Sequence, residues 1–366
     1  MTLVRARGVA AVLVVIALIA ACGDAGQAKP DTLQHRVQTA VDEFVSSRLV
    51  PGASVVVFDH DETANVASGV TNIDNKKPVD AAAQFRVASV AKVYIATIVL
   101  KLVQRGELSL DDRVGSLGVT VPAALSFAQE FTLRQLLSHT SGLSQTYTRD
   151  EDRGEPLTTA DLLDRIPPAA CDPGTCWSYA DGNYVLAEAV LEAVTGRPLS
   201  EVFDAELLSP LALDGTRLVN AAVEDDPLPE QYALAHDDAG QIVEPRRLFE
   251  QSLPRSATLI TTARDAAKFA DALFSGDILD QARLTEMLET SVMRDLPCPE
   301  ECNFDYGIGV FHYQIGGHEF VGHDGSSGTI VVHDQAKDLT VAILTNGGDQ
   351  AIGAFLEKVL RAIDGS

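Results

Sequence analysis

Ser89 and Lys92, three residues apart in Phe85-Arg86-Val87-Ala88-Ser89-Val90-Ala91-Lys92, place a hydroxyl and an amine on one face of a helix. That pairing suits nucleophilic acyl transfer. A serine hydroxyl attacks a carbonyl readily only when a neighbour takes its proton, and a partly desolvated amine one turn away is able to take it. Many surface helices carry the same spacing, so its weight depends on the elements around it. Val90, Val93, Ile95, Ile98, Val99, Leu102 and Val103 follow at mostly helical intervals and Gly106 marks a stop, which predicts a helix gripped by the core.

Two further segments carry polar groups suited to the same reaction. Tyr179, in Trp177-Ser178-Tyr179-Ala180-Asp181-Gly182-Asn183, stands on a loop entering a helix expected over Val185 to Val194. Gly322-His323-Asp324-Gly325-Ser326-Ser327-Gly328 links two expected strands, and its glycines would let a substrate lie against a strand edge.

The elements that must position these groups begin after a leader. Arg5 and Arg7 precede thirteen apolar residues, Val9 to Ala21, a run well short of the ~20 needed to span a bilayer. Residues 1–22 therefore read as a secretory signal. Ile19-Ala20-Ala21-Cys22 is similar to a bacterial lipobox, which implies lipidation of Cys22 and a flexible tether over 23–32. Export leaves Cys171, Cys176, Cys298 and Cys302, an even number open to three pairings. The near couples, Cys171 with Cys176 and Cys298 with Cys302, are the simplest; a structural zinc is the rival, and an oxidising compartment favours disulfides.

Composition allows one large globular unit over 33–366, with 46% hydrophobic and 22% charged residues in the 366. The net charge of −24, or −26 once the two leader arginines are discounted, argues against nucleic acid and against docking on anionic lipid. Membrane attachment is expected from the lipid alone. A helix over Leu33 to Leu49, strands over Ala53 to Phe58 and Ala64 to Val70, strands over Tyr306 to Tyr313, Glu319 to Gly322, Thr329 to His333 and Leu339 to Thr345, and a closing helix from about Gln350 to Ile363 follow from the periodicity. The fold class expected is α+β: one antiparallel sheet completed by both chain ends and flanked by the N- and C-terminal helices. Its α/β part covers about 33–80 and 265–366, with an inserted, mostly helical part over about 81–264. Ser144 to Thr159 and Ala221 to Pro245 are polar, acidic stretches suited to loops over a site.

Taken together, these motifs resemble the serine β-lactamase and penicillin-binding protein family, in the branch of class C β-lactamases, D-alanyl-D-alanine carboxypeptidases and related esterases. The likeness covers nearly all of the mature chain, and Leu136 to Leu143 and Ile260 to Phe269 are similar to recurrent family segments. By that resemblance the fold is β-lactamase/transpeptidase-like, Ser89 is the nucleophile and Lys92 helps to deprotonate it. Tyr179 matches the tyrosine of the Y-x-N element that relays protons to the leaving group. His323 and Gly325 match the K/H-x-G strand, and the backbone N–H groups of Ser89 and Ser326 would form the oxyanion hole. No cofactor and no metal is implied. His139 lies in a segment whose family counterpart is structural, and His312, His318, His323 and His333 lack zinc-ligand spacing.

Two positions depart from the family pattern. Asp181 stands where asparagine is usual, and a carboxylate there would hold Lys92 protonated, unless Asp181 is itself protonated or turned away. Asp324 stands where many relatives have the threonine or serine that binds a substrate carboxylate, and it would repel an anion. Arg246, Arg247 or Arg255 would have to restore a positive anchor. The resemblance implies an exported, lipid-anchored serine hydrolase acting on an ester or amide in a small-molecule or peptidoglycan-derived substrate. The alternative is a catalytically weak penicillin- or peptidoglycan-binding sensor that acylates without turnover.

Overall fold

The computed structural model describes residues 32–366 apart from 48, 122, 146–162, 165, 168, 219–227, 237–241, 248–258, 291–292, 294–295, 298–303, 349–350 and 366. Helix α1 (Leu33–Ser46) starts at Thr32, whose hydroxyl accepts from the His35 N–H. It stops three residues before the expected Leu49 because the Ser46 and Ser47 hydroxyls turn back onto the carbonyls of Glu43 and Phe44.

Strands β1 (Gly52–Asp59) and β2 (Glu62–Gly69) form the first hairpin. Four more strand segments and a longer one fall inside the region expected to be mostly helical: β3 (Gln84–Arg86), β4 (Arg217–Leu218), β5 (Tyr232–His236), β6 (Ile242–Arg247) and β7 (Leu259–Thr262). They build a three-stranded sheet, β3-β7-β4, and a separate β5-β6 hairpin. Runs of two to six residues are too short to show a period of two, so the sequence pattern conceals them.

The main sheet is closed by β8 (Asp305–Tyr306), β9 (Phe311–Ile315), β10 (His318–Gly325), β11 (Thr329–Asp334) and β12 (Leu339–Thr345). Its order is β2-β1-β12-β11-β10-β9-β8, with every neighbouring pair antiparallel. Both chain ends thus complete one sheet, and the class is α+β. The expected strand over Glu319 to Gly322 runs on through His323-Asp324-Gly325, which pair with Val331, Ile330 and Thr329. The linker is only Ser326-Ser327-Gly328.

Alternation across this sheet separates two cores. Val55, Val57, Ile330, Val332, Val341 and Ile343 face one way, onto α1 and the C-terminal helix. Val56, Val331, Ala342 and Leu344 face the other, onto the helical region. There α2 (Ala91–Gln104) is buried nearly all round, with α3 (Leu133–Leu137), α4 (Asp181–Thr195), α5 (Leu199–Phe203), α6 (Ala263–Phe274) and α7 (Gln281–Leu288) around it. On the outer face, the C-terminal helix α8 (Ile352–Asp364) stacks Phe355 on Phe44 of α1 at 4.1 Å. No helix among the described residues is long and apolar enough to cross a membrane.

Candidate active site

Ser89 sits where β3 hands over to α2. Arg86 pairs with Ile260 of β7, and the Val87 N–H donates to the Leu259 carbonyl. Ala88 then adopts a left-handed φ of 45° before the turn Ala88–Val90 runs into α2, a conformation costly for a residue with a Cβ and held by its surroundings. Those surroundings include the β10–β11 connection. The Ser327 and Thr329 hydroxyls donate to the carbonyls of Arg86 and Val87 at 2.9 and 3.1 Å. A Cβ on Gly325 would collide with the Val87 carbonyl and crowd Ala88. The backbone leading into Ser326 therefore runs directly beside the backbone leading into Ser89, which is the relation a two-donor oxyanion site needs.

Lys92 lies one turn along α2 and is 1% exposed. Its Nζ is 2.9 Å from Ser89 Oγ and 2.7 Å from Asp181 Oδ1, and 4.9 Å from the centre of the Tyr179 ring. Tyr179 donates its hydroxyl to the same Ser89 Oγ at 2.9 Å. Burial by itself would strip the proton from Lys92, but the charge of Asp181 and its hydrogen bond, helped by Tyr179, overcome that and raise the ammonium's pKa well above the usual lysine range. For Tyr179 burial dominates and pushes the phenol up, while Lys92 pulls the other way. At neutral pH both neighbours of Ser89 are protonated.

Asp181 is brought to Lys92 because α4 begins four residues before the expected Val185. Gly182 and Asn183 disguise the start in the sequence, yet both lie in its first turn. An acidic residue is favoured at such a helix start, where backbone N–H groups are unpaired. Gln145 holds it from the other side: the Asp181 N–H donates to Gln145 Oε1, and Gln145 Nε2 donates to Asp181 Oδ2, each at 2.9 Å. Nothing in the sequence singles out Gln145, which lies 36 residues from Asp181.

His139 braces the same segment. It is fully buried, at φ 57°, and its Nδ1 accepts from the Ala180 N–H at 3.2 Å and from the Asn183 amide at 3.1 Å. Its ring lies 4.3 Å from that of Tyr179. Burial first, then Lys92 and His323, hold its pKa well below the usual imidazole range, so it stays neutral. The wall beyond Tyr179 is aromatic, formed by Trp177, Tyr306 and Phe311, which periodicity alone does not reveal.

His323 is also buried, facing Tyr179 with 6.3 Å between rings. Its Nδ1 donates to the Asp324 carbonyl at 2.6 Å. Burial lowers its pKa to about 4 against the opposing pull of Asp324, so it is uncharged at neutral pH. Asp324 is partly exposed and accepts the Tyr313 hydroxyl at 2.6 Å. Of the other histidines, His318 faces Asp334 and His333 faces Thr340. Cys171 and Cys176 are joined in a disulfide. Cys22, Cys298, Cys302 and Arg255, the side chains of Arg246 and Arg247, and most of the two acidic stretches lie outside the described residues.

Comparison with known proteins agrees with this geometry. The Beta-lactamase family profile matches residues 37–362. Penicillin-binding protein 4 of Amycolatopsis lactamdurans is 32% identical over 333 residues, 85% of this chain and 84% of that protein. Esterase EstB of Burkholderia gladioli is 32% identical over 241 residues, 61% of this chain and 60% of that protein. Among solved structures, the D-amino acid amidase of Ochrobactrum anthropi SV3 complexed with D-phenylalanine matches with a TM-score of 0.76 at 27% identity, covering 91% of this chain and 99% of the amidase. The chain belongs to the β-lactamase family and is a serine hydrolase.

Proposed function

We propose that this member of the β-lactamase family cleaves an ester or amide through an acyl-enzyme on Ser89, outside the cytoplasm and anchored by lipid at Cys22. One observation carries the chemistry: the hydroxyl oxygen of the half-buried Ser89 receives Lys92 Nζ and Tyr179 OH at 2.9 Å each. The hydroxyl attacks the substrate carbonyl, the adjoining backbone amides stabilise the oxyanion, and Tyr179 protonates the leaving group. Intact-mass spectrometry after incubation with a penicillin, a D-Ala-D-Ala peptide and a simple ester tests this reading. A transient adduct on Ser89 together with consumption of a substrate is expected; absence of any adduct or product overturns it. A persistent adduct without product selects the sensor reading, which the Lys92–Asp181 ion pair favours because a paired ammonium activates the deacylating water less well than a free amine.

The strand edge supports neutral or cationic substrates over anionic ones. His323 is uncharged and Asp324 is the adjoining side chain, so the H-x-G segment offers a substrate carboxylate no cation. Asp324→Thr is expected to accelerate acylation by a penicillin about tenfold, an electrostatic gain of the order of 1.4 kcal/mol, and to change reaction with an uncharged ester by less than about twofold. Equal effects on both would remove Asp324 from substrate selection. The export reading draws support from the basic and apolar leader and the Cys171–Cys176 disulfide. Cys22→Ser is expected to release the protein from membranes to the soluble fraction; continued membrane association would require a different tether.

A further inference from the structure

The resting geometry poses a proton problem. Ser89 must lose its proton to attack, yet both groups on its oxygen are full: an ammonium has no lone pair to offer, and the phenol stays protonated. Along the chain Tyr179–Ser89–Lys92–Asp181, the group with vacant acceptor sites and negative charge is the Asp181 carboxylate, 2.7 Å from Lys92 Nζ.

We propose that Asp181 is the terminal proton acceptor in acylation, with Lys92 as relay and Gln145 as the positioning residue. This rests on the reading of Ser89 as nucleophile. As the Ser89 O–H bond breaks, its proton passes to Lys92 Nζ while Lys92 gives one of its own to Asp181 Oδ1; the Ser89 oxygen bonds to the carbonyl carbon, whose π electrons move to the oxygen. On collapse the leaving group departs with its bonding pair and takes the Tyr179 proton. Tyr179 is refilled from Lys92, and Lys92 from Asp181. The sum is one O–H and one carbon–leaving-group bond broken, one serine ester and one leaving-group–H bond formed. No proton enters or leaves the site.

Gln145 fixes this arrangement. Its amide bonds both Asp181 Oδ2 and the Asp181 N–H, leaving Oδ1 for Lys92 and removing the carboxylate's freedom to swing away. The other titratable groups facing the pair do not interfere. Tyr179, Tyr184 and Tyr306 are held protonated by burial, and His139 and His323 neutral, all through the range pH 6 to 9.

An internally balanced pair makes the acylation rate independent of pH for as long as the Lys92–Asp181 ion pair stays intact. With the carboxylate removed, only the free amine of Lys92 accepts the proton. Burial, then opposed by Tyr179 without the carboxylate's charge, pulls the ammonium's pKa down, and the rate follows the free-amine fraction. The test is the rate of Ser89 labelling by a fluorophosphonate from pH 6 to 9; the fluoride leaving group needs no proton, so the first transfer is isolated. The unaltered chain is expected to vary less than about twofold. Asp181→Asn is expected to rise about tenfold per pH unit at the acid end, falling below the unaltered chain at pH 6 and overtaking it on the alkaline side. Gln145→Ala, which keeps both the lysine and the carboxylate, is expected to acquire a weaker acid limb of the same sign, a change that mere structural loosening would not produce. Parallel profiles for the three proteins overturn the relay while leaving the nucleophile intact. Failure of the unaltered chain to label at any pH, with Ser89→Ala as control, overturns the Ser89 reading itself.

Discussion

Ser89→Ala is expected to eliminate every covalent adduct, with penicillin, ester or fluorophosphonate, and to reduce hydrolysis by about 10⁴-fold or more. Loss of the nucleophile in a serine hydrolase leaves only what binding and oxyanion stabilisation supply to a water molecule. The fold should survive. Ser89 is small and partly exposed, its hydroxyl anchors no secondary structure, and Lys92 retains its stronger partner Asp181 after the change. Matching melting curves for the two proteins, measured beside the labelling, separate chemistry from unfolding. Undiminished adduct formation by the alanine variant would move the nucleophile elsewhere.

Lys92→Met is expected to cost about 10³-fold in acylation, within the range attributed to a positioned proton acceptor, and to leave deacylation equally impaired. The methionine keeps the apolar stem that α2 buries but removes the relay, and Tyr179 alone cannot accept a proton while it is a neutral phenol. Stability changes less than activity. Deleting one partner of a buried ion pair commonly costs about 3–5 kcal/mol because a charge is stranded. Here the Asp181 carboxylate keeps the hydrogen bond from Gln145 Nε2 and a fifth of its side chain in solvent, so a loss at or below the low end of that range is expected in denaturant titrations. Labelling at the unaltered rate would show that Lys92 only packs, and that Ser89 is activated from elsewhere.

Much of the framework was legible in the sequence because it rests on local rules. Apolar, β-branched runs mark β1, β11 and β12 as buried strands, and the helical spacing after Ser89 marks α2 as a buried element. Ser89 and Lys92 meet at 2.9 Å for the same local reason, since three residues of helix leave little choice. The short strands β3, β4 and β7 carry too few residues for a period, and the early start of α4 is masked by glycine and asparagine.

Tertiary closure alone decided which distant groups share the serine. Tyr179 and Asp181 lie about ninety residues from their partners, and Gln145 enters from a third segment. The sequence showed that a carboxylate had replaced an amide at position 181 but not whether it met the lysine, turned away or took a proton. Whether a charge perturbs a neighbour depends on a separation of a few ångströms and on exclusion of water, and neither quantity exists until the sheet has closed through both chain ends and α2 is sealed within the core.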